Sequence, residues 1–224
     1  MVGSSVLPAT IYKNKLLFLF GKENPLEKSA KGFSDFGGGM EKDETPYETA
    51  LREGGEEMTG FLGDEKEIKQ MIKKNGGMYK INYNDTYHIH IFFLEYDENL
   101  PKYYNNNHEY LWKKMDNKKL KATKLFEKIE IKWFSIEEIK LMRHKFRHFY
   151  REILDKIIEN KQEIKNFLEK SSNFNSTIST RKTRKSSPKM KKIVKPQQPK
   201  IKWQKTQKNK NIKQRKYNKQ KNDK

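Results

Sequence analysis

The sequence contains no cysteine, which excludes a disulfide scaffold and a thiolate metal centre. Long apolar runs are also missing. The longest spans residues 16–20, far short of the roughly 20 residues that cross a bilayer. The N-terminus has no basic segment followed by an apolar stretch, so no signal peptide is expected. No membrane association is expected either, and a cytoplasmic protein is the simplest expectation. Acids are scarce in one region only. Residues 171–224 hold 19 Lys and Arg against one acid, Asp223, whereas residues 1–170 carry 30 basic and 28 acidic residues. The formal charge of +20 therefore resides almost wholly in a C-terminal tail.

The apolar residues divide the chain at the same place. The first part is long enough to bury a core. The tail has too few apolar groups to offset its own ordering entropy, so residues 171–224 are expected to be disordered. One globular domain over residues 1–160 is predicted, with residues 161–170 ending its last helix.

Two strands are predicted at 4–12 and 15–20 about a Lys13-Asn14 turn, and a loop at 21–31. A short strand at 33–36 runs into Gly37-Gly38-Gly39. Helices are predicted at 46–58 and 65–73, and a hairpin at 78–83 and 86–96 about Asn84-Asp85. The three consecutive asparagines suggest a loop over 103–109. A strand at 129–134 leads to Ser135, which with Glu138 forms a capping box. A single helix is predicted over 144–169. Strands and helices alternate without a strict βαβ rhythm, the pattern of an α/β protein with a mixed sheet between helices.

The chemistry is concentrated in residues 38–61, GGMEKDETPYETALREGGEEMTGF. Thr45 caps a helix, Pro46 suits its first position, and Glu48 completes a capping box. Tyr47, Ala50, Leu51, Gly54 and Met58 fall on one stripe and face the core. Glu53, Glu56 and Glu57 gather on another side, at offsets of three and four. Three adjacent carboxylates repel one another and weaken a helix, and a divalent cation removes that conflict. Hard oxygen donors of this kind suit magnesium or manganese. Arg52, four residues from both Glu48 and Glu56, can hold a carboxylate in place. An E-x-x-E-E run alone is usually a solvated helix face; the glycine loop, cap, arginine and acids together are far more specific.

This segment resembles the Nudix box, G-x5-E-x7-R-E-U-x-E-E-x-G-U, with U a bulky aliphatic residue. Gly38, Glu44, Arg52, Glu53, Glu56 and Glu57 match it in register. Strand-like flanks and Trp133-Phe134-Ser135 before an acidic helix resemble the family's ending. The resemblance implies an α/β/α sandwich and magnesium- or manganese-dependent hydrolysis of a nucleoside diphosphate linked to another group. It implies Glu53 and Glu57 as metal ligands, Glu56 as a further ligand or water activator, the Gly38 carbonyl as a ligand, and Glu44 as support for the loop. Glu95, Glu130, Glu137 and Glu138 stay open as bases outside the box. Two departures concern packing: Gly54 stands where an aliphatic residue is usual, and the closing Gly60 comes one residue late.

His88 and His90 share a strand face and are ordinary strand residues in the default reading. The tail attracts phosphate backbones, with Arg181, Lys182, Arg184, Lys185, Lys191 and Lys192 opening its basic part. Nucleic-acid binding is the favoured reading of the tail, and nuclear localisation is a second use that it suits. In general texture the chain is similar to Nudix proteins of large DNA viruses of the mRNA-decapping type, which implies capped RNA as substrate. The alternatives are a hydrolase of small substrates (dinucleoside polyphosphates, diphosphoinositol polyphosphates or oxidised nucleotides) and a Nudix-like nucleic-acid-binding protein without turnover.

Overall fold

The computed structural model describes residues 2–26, 31–122 and 127–184, with the backbone alone for residues 117, 121, 122 and 174–184. Strand β1 (Gly3–Tyr12) turns back into β2 (Lys15–Glu23) through Lys13 and Asn14, both at positive φ. Next come β3 (Phe33–Ser34), β4 (Phe36–Gly39), α1 (Pro46–Glu57), α2 (Glu65–Lys74), β5 (Met78–Tyr83) and β6 (Tyr87–Phe93). Then follow α3 (Asn99–Lys114), α4 (Asn117–Ala122), β7 (Lys128–Ser135) and α5 (Ile136–Leu141). A 3-10 turn (Arg143–Lys145), α6 (Tyr150–Glu159) and α7 (Lys161–Arg184) complete the described order.

The sheet is mixed. β1 pairs in parallel with β6 along one side; on the other it pairs antiparallel with β4 and then β2. β2 also carries β3 and β7, and β5 closes the far edge beside β6. Strand alternation sorts neighbouring residues onto opposite faces. Leu7, Phe18 and Phe134 pack with Ile139, Ile153, Ile157 and Leu168 of α5, α6 and α7. Val6, Leu19 and Trp133 pack with Ala50 and Leu51 of α1, Ile68 of α2 and Tyr104 of α3. Helices thus cover both faces, giving an α/β/α sandwich.

Four expectations need correction. β2 reaches Glu23, inside the predicted loop over 21–31, because β7 pairs with it that far. The predicted loop over 103–109 is the middle of α3. There Tyr104 and His108, one turn apart, are buried, so spacing outweighed the asparagines. The single helix predicted over 144–169 is broken twice. Arg147 donates its N–H to the Phe33 carbonyl at 3.0 Å, tying the chain to β3 before α6 begins. Asn160 then caps α6 and accepts from the Tyr79 hydroxyl at 3.0 Å. Finally, residues 171–184, expected in the tail, are helical. Leu168 and Ser171 are buried, and the Ser171 hydroxyl donates to the Phe167 carbonyl at 3.0 Å. The rest of the expected tail, 185–224, lies outside the described residues.

Candidate catalytic face

Helix α1 begins as its sequence dictates. The Thr45 hydroxyl accepts from the Glu48 N–H and the Glu48 carboxylate accepts from the Thr45 N–H, the full capping box, with Pro46 at the first position. Ala50, Leu51, Gly54 and Met58 are buried, and Tyr47 is half-buried. The helix ends at Glu57, and the late glycine, Gly60, adopts φ +74°.

Arg52 organises the exposed side of the helix. Its Nε and Nη2 donate to the two Glu44 oxygens at 2.7 and 3.0 Å, a bidentate grip. Its Nη1 donates to Glu53 Oε1 at 2.7 Å and its Nη2 reaches the Gly39 carbonyl at 3.1 Å. Glu56 Oε2 lies 3.9 Å from the same guanidinium. Glu44 also accepts from the Thr49 hydroxyl and the Glu41 N–H. The Arg52 fork holds the Glu44 carboxyl far below its usual range, at about 2. One arginine therefore ties the glycine loop, Glu44, Glu53 and Glu56 into a single unit. The Glu53 carboxylate lies directly on Gly38, where an added Cβ would come within 2.4 Å of Glu53 Oε1.

Glu57 turns the other way, into the protein. Its Oε2 accepts from the Gly37 N–H at 2.7 Å and its Oε1 lies 3.1 Å from Lys128 Nζ. Lys128 is fully buried and also reaches Glu23 and the Ser34 hydroxyl. Glu23 in turn pairs with Arg147 at 2.8 Å. Burial pushes the Glu57 carboxyl above its usual range, against the pull of Lys128. Burial also works against the Lys128 ammonium, yet Glu57 and Glu23 outweigh it and hold its pKa up.

The donor set is all oxygen and suits a hard divalent cation in kind. Glu53 lies against Gly38, and Glu56 stands on the more exposed side of the helix. Glu57 presents its carboxylate from beneath, in the grip of Gly37 and Lys128. Among the described residues, no group of three His, Cys, Asp or Glu side chains already converges as a metal cluster.

The remaining candidates fall elsewhere. Glu130 pairs with Lys22 at 3.1 Å. Glu138 serves the α5 capping box, Glu95 is exposed, and Glu137 lies on α5. His90 is a core residue: its Nδ1 lies 3.1 Å from the Ser5 carbonyl, and burial pushes its pKa down to about 4. His88 is half-buried beside it on β6. Arg181, Lys182 and Arg184 fall on the described backbone of α7; Lys185, Lys191 and Lys192 lie outside the described residues. Sequence reasoning missed Glu23 and Lys128. Lys22 faces Glu130 but Glu23 faces Lys128, a bulge that skips Ile129. Such a bulge re-aims a side chain that simple alternation would keep beside Glu130 and Lys132.

The first long helix of this α/β/α sandwich thus carries an Arg-clamped carboxylate row beside a glycine loop, an all-oxygen face that suits a hard cation and the phosphates it binds. A NUDIX domain model matches residues 9–157, and the chain belongs to that family. It is a Nudix hydrolase, an enzyme of phosphorus anhydride bonds. Nudix hydrolases act on nucleotide-pyrophosphate substrates and generally use a divalent metal.

Among solved structures, it is similar to a bifunctional NMN adenylyltransferase/ADP-ribose pyrophosphatase from Francisella tularensis, complexed with AMP and a manganese ion. Identity is 17% and the TM-score 0.46, over 71% of this chain and 41% of that one. It is also similar to RenU, a Nudix hydrolase from M. smegmatis, at 11% identity and TM-score 0.43, over 73% and 88%. A C. elegans Ap4A hydrolase is 14% identical with TM-score 0.35, over 78% and 98%. No curated protein sequence matches the chain.

Proposed function

We propose that this protein is a magnesium- or manganese-dependent pyrophosphohydrolase that cleaves a nucleoside diphosphate linked to another group. The observation that carries this reading is the Arg52 fork, which fixes Glu44, Glu53 and the Gly39 carbonyl as one unit. Glu53, Glu56, Glu57 and the Gly38 carbonyl would hold the cation. When bound, the cation would neutralise phosphate charge and lower the pKa of a coordinated water. The chain's own contribution is positioning: Arg52 aims Glu53, Gly37 and Lys128 aim Glu57, and Glu56, 3.9 Å from the Arg52 guanidinium, would ligate the cation or accept a proton from the attacking water.

Capped RNA is the favoured substrate, with the basic tail holding the RNA body. That choice rests on the tail's charge, 19 cations against Asp223. A second reading, a small polyphosphorylated substrate, is favoured by a basic cleft beside β2.

The test is magnesium-dependent hydrolysis of cap-labelled RNA by the full chain. Glu56→Gln and a chain ending after residue 184, which keeps α7 whole, are run alongside. Release of m7GDP, lost in Glu56→Gln and reduced without the tail, supports decapping. No release under conditions where RNA binds removes capped RNA and turns the search to small nucleotide and inositol pyrophosphates. Loss of all metal-dependent turnover across that panel would overturn the hydrolase reading for this chain.

A further inference from the structure

A cleft of about 690 Å³ opens between β2 and the segment that joins α5 to α6. That volume lies within the range of small-ligand sites, about 300–1,000 Å³. Lys22, Lys31, Lys145, Arg147 and Arg151 line it, and no carboxylate does so among the described residues. Phe149 forms an aromatic wall, half exposed, with the Arg147 guanidinium 4.7 Å from its ring centre.

Among the described residues, Lys31, Lys145 and Arg151 enter no ion pair. The Arg151 guanidinium is instead held by backbone: its Nε donates to the Phe146 carbonyl at 3.3 Å and its Nη2 to the His144 carbonyl at 3.1 Å. Carbonyls orient that fork without neutralising it. Five like charges around one concavity repel one another, and a concave wall focuses their field onto whatever enters. An anion relieves that repulsion, and several adjoining anionic groups relieve it best. Arg147 pairs with Glu23, Glu23 with Lys128, and Lys128 with Glu57, so one run of ion pairs joins the cleft wall to the end of α1.

We propose that this cleft binds a chain of two or more phosphate groups, the part of the substrate remote from the bond cut. The proposal rests on the hydrolase reading for the word substrate, and on the cleft alone for the phosphates. Arg147 and Arg151 supply planar forks, which match phosphate oxygens in pairs, and the three lysines act as point charges around them.

Lysine acylation of the full chain, in EDTA, with inorganic tripolyphosphate as probe and mass spectrometry as readout, tests the site residue by residue. Labelling of Lys31 and Lys145 falls severalfold, while Lys66 and Lys69 on α2 stay as they were. The paired variant Lys145→Gln with Arg151→Gln loses the protection at Lys31. With an active substrate it raises KM about tenfold or more, as lost charge-assisted hydrogen bonds do, and leaves kcat within about twofold, the mark of lost uniform binding. Equal labelling with and without tripolyphosphate, or equal protection at all four lysines, overturns the proposal. Protection with an unchanged KM overturns the assignment to substrate. Protection in a wild-type chain that turns nothing over overturns the hydrolase reading and leaves the phosphate site standing.

Discussion

Glu57 ends α1 with one carboxylate oxygen on the Gly37 N–H at 2.7 Å and the other 3.1 Å from the buried ammonium of Lys128. Lys128 is also the partner of buried Glu23. A buried ion pair contributes little over an apolar replacement of both partners, but removing one partner alone strands the others. Lys128→Met leaves Glu57 and Glu23 facing each other in the interior. It should destabilise the fold by roughly 3–5 kcal/mol, read from urea unfolding at neutral pH. A Lys128→Met protein as stable as wild type would remove Lys128 from this role.

The Arg52 fork predicts a different kind of loss. Lysine keeps the charge at position 52 but cannot grip both Glu44 oxygens and reach Glu53 at once. Arg52→Lys should lower kcat about 10–100-fold, the usual effect of losing a partner that orients a ligand, with a melting temperature close to wild type. Steady-state rates beside a thermal melt separate the two effects. Full activity in Arg52→Lys would mean that Glu53 is aimed by something other than the fork.

These two neighbourhoods differ in how readily the sequence exposes them. Among the described residues, the polar partners of Arg52 lie between Gly39 and Glu56, so local spacing brings them together. The caps at Thr45 and Ser135 and the paired positive-φ turns at Lys13-Asn14 and Asn84-Asp85 are equally local. Lys128 and Glu23 meet only through the bulge between β2 and β7, 105 positions apart in sequence. No local pattern marks that register shift. The Asn-rich middle of α3 misled for a related reason: composition argued for a loop, while burial of Tyr104 and His108 against distant residues argued for a helix.

His90 makes stability depend on pH. Burial lowers its pKa to about 4 from an ordinary 6.5, and Nδ1 faces the Ser5 carbonyl. Between those values the unfolded chain binds a proton that the folded chain refuses, so stability rises with pH across the window. The contribution is complete above about 6.5 and lost as pH falls towards 4, with a span of roughly 3 kcal/mol at most. Unfolding free energies at pH 4.5 and 7 check this: His90→Gln should flatten the difference. A wild-type difference that survives the substitution assigns it to other groups.

Gly54 and Gly55 are neighbours in α1 and should respond oppositely to the same substitution. Alanine gains about 0.5–1 kcal/mol over glycine in a helix interior. At Gly55 an added Cβ meets nothing closer than the Glu65 nitrogen at 3.4 Å, an ordinary contact. Gly55→Ala should therefore stabilise by about that amount. At Gly54 the same atom comes within 2.5 Å of Val6 Cγ2 on β1. Val6 is stiff at χ1 and nearly fully buried, so it cannot swing clear. Overpacking of this kind costs about 1–3 kcal/mol, enough to outweigh the helix gain and make Gly54→Ala destabilising. Val6→Ala opens the space that the new methyl group needs. The double variant should then be more stable than the two single changes sum to, by about 1 kcal/mol or more, read from the four corners of a urea-unfolding cycle. Additive effects would show that α1 shifts away from β1 instead, and that the close approach of helix and strand at Gly54 is not what the missing side chain secures.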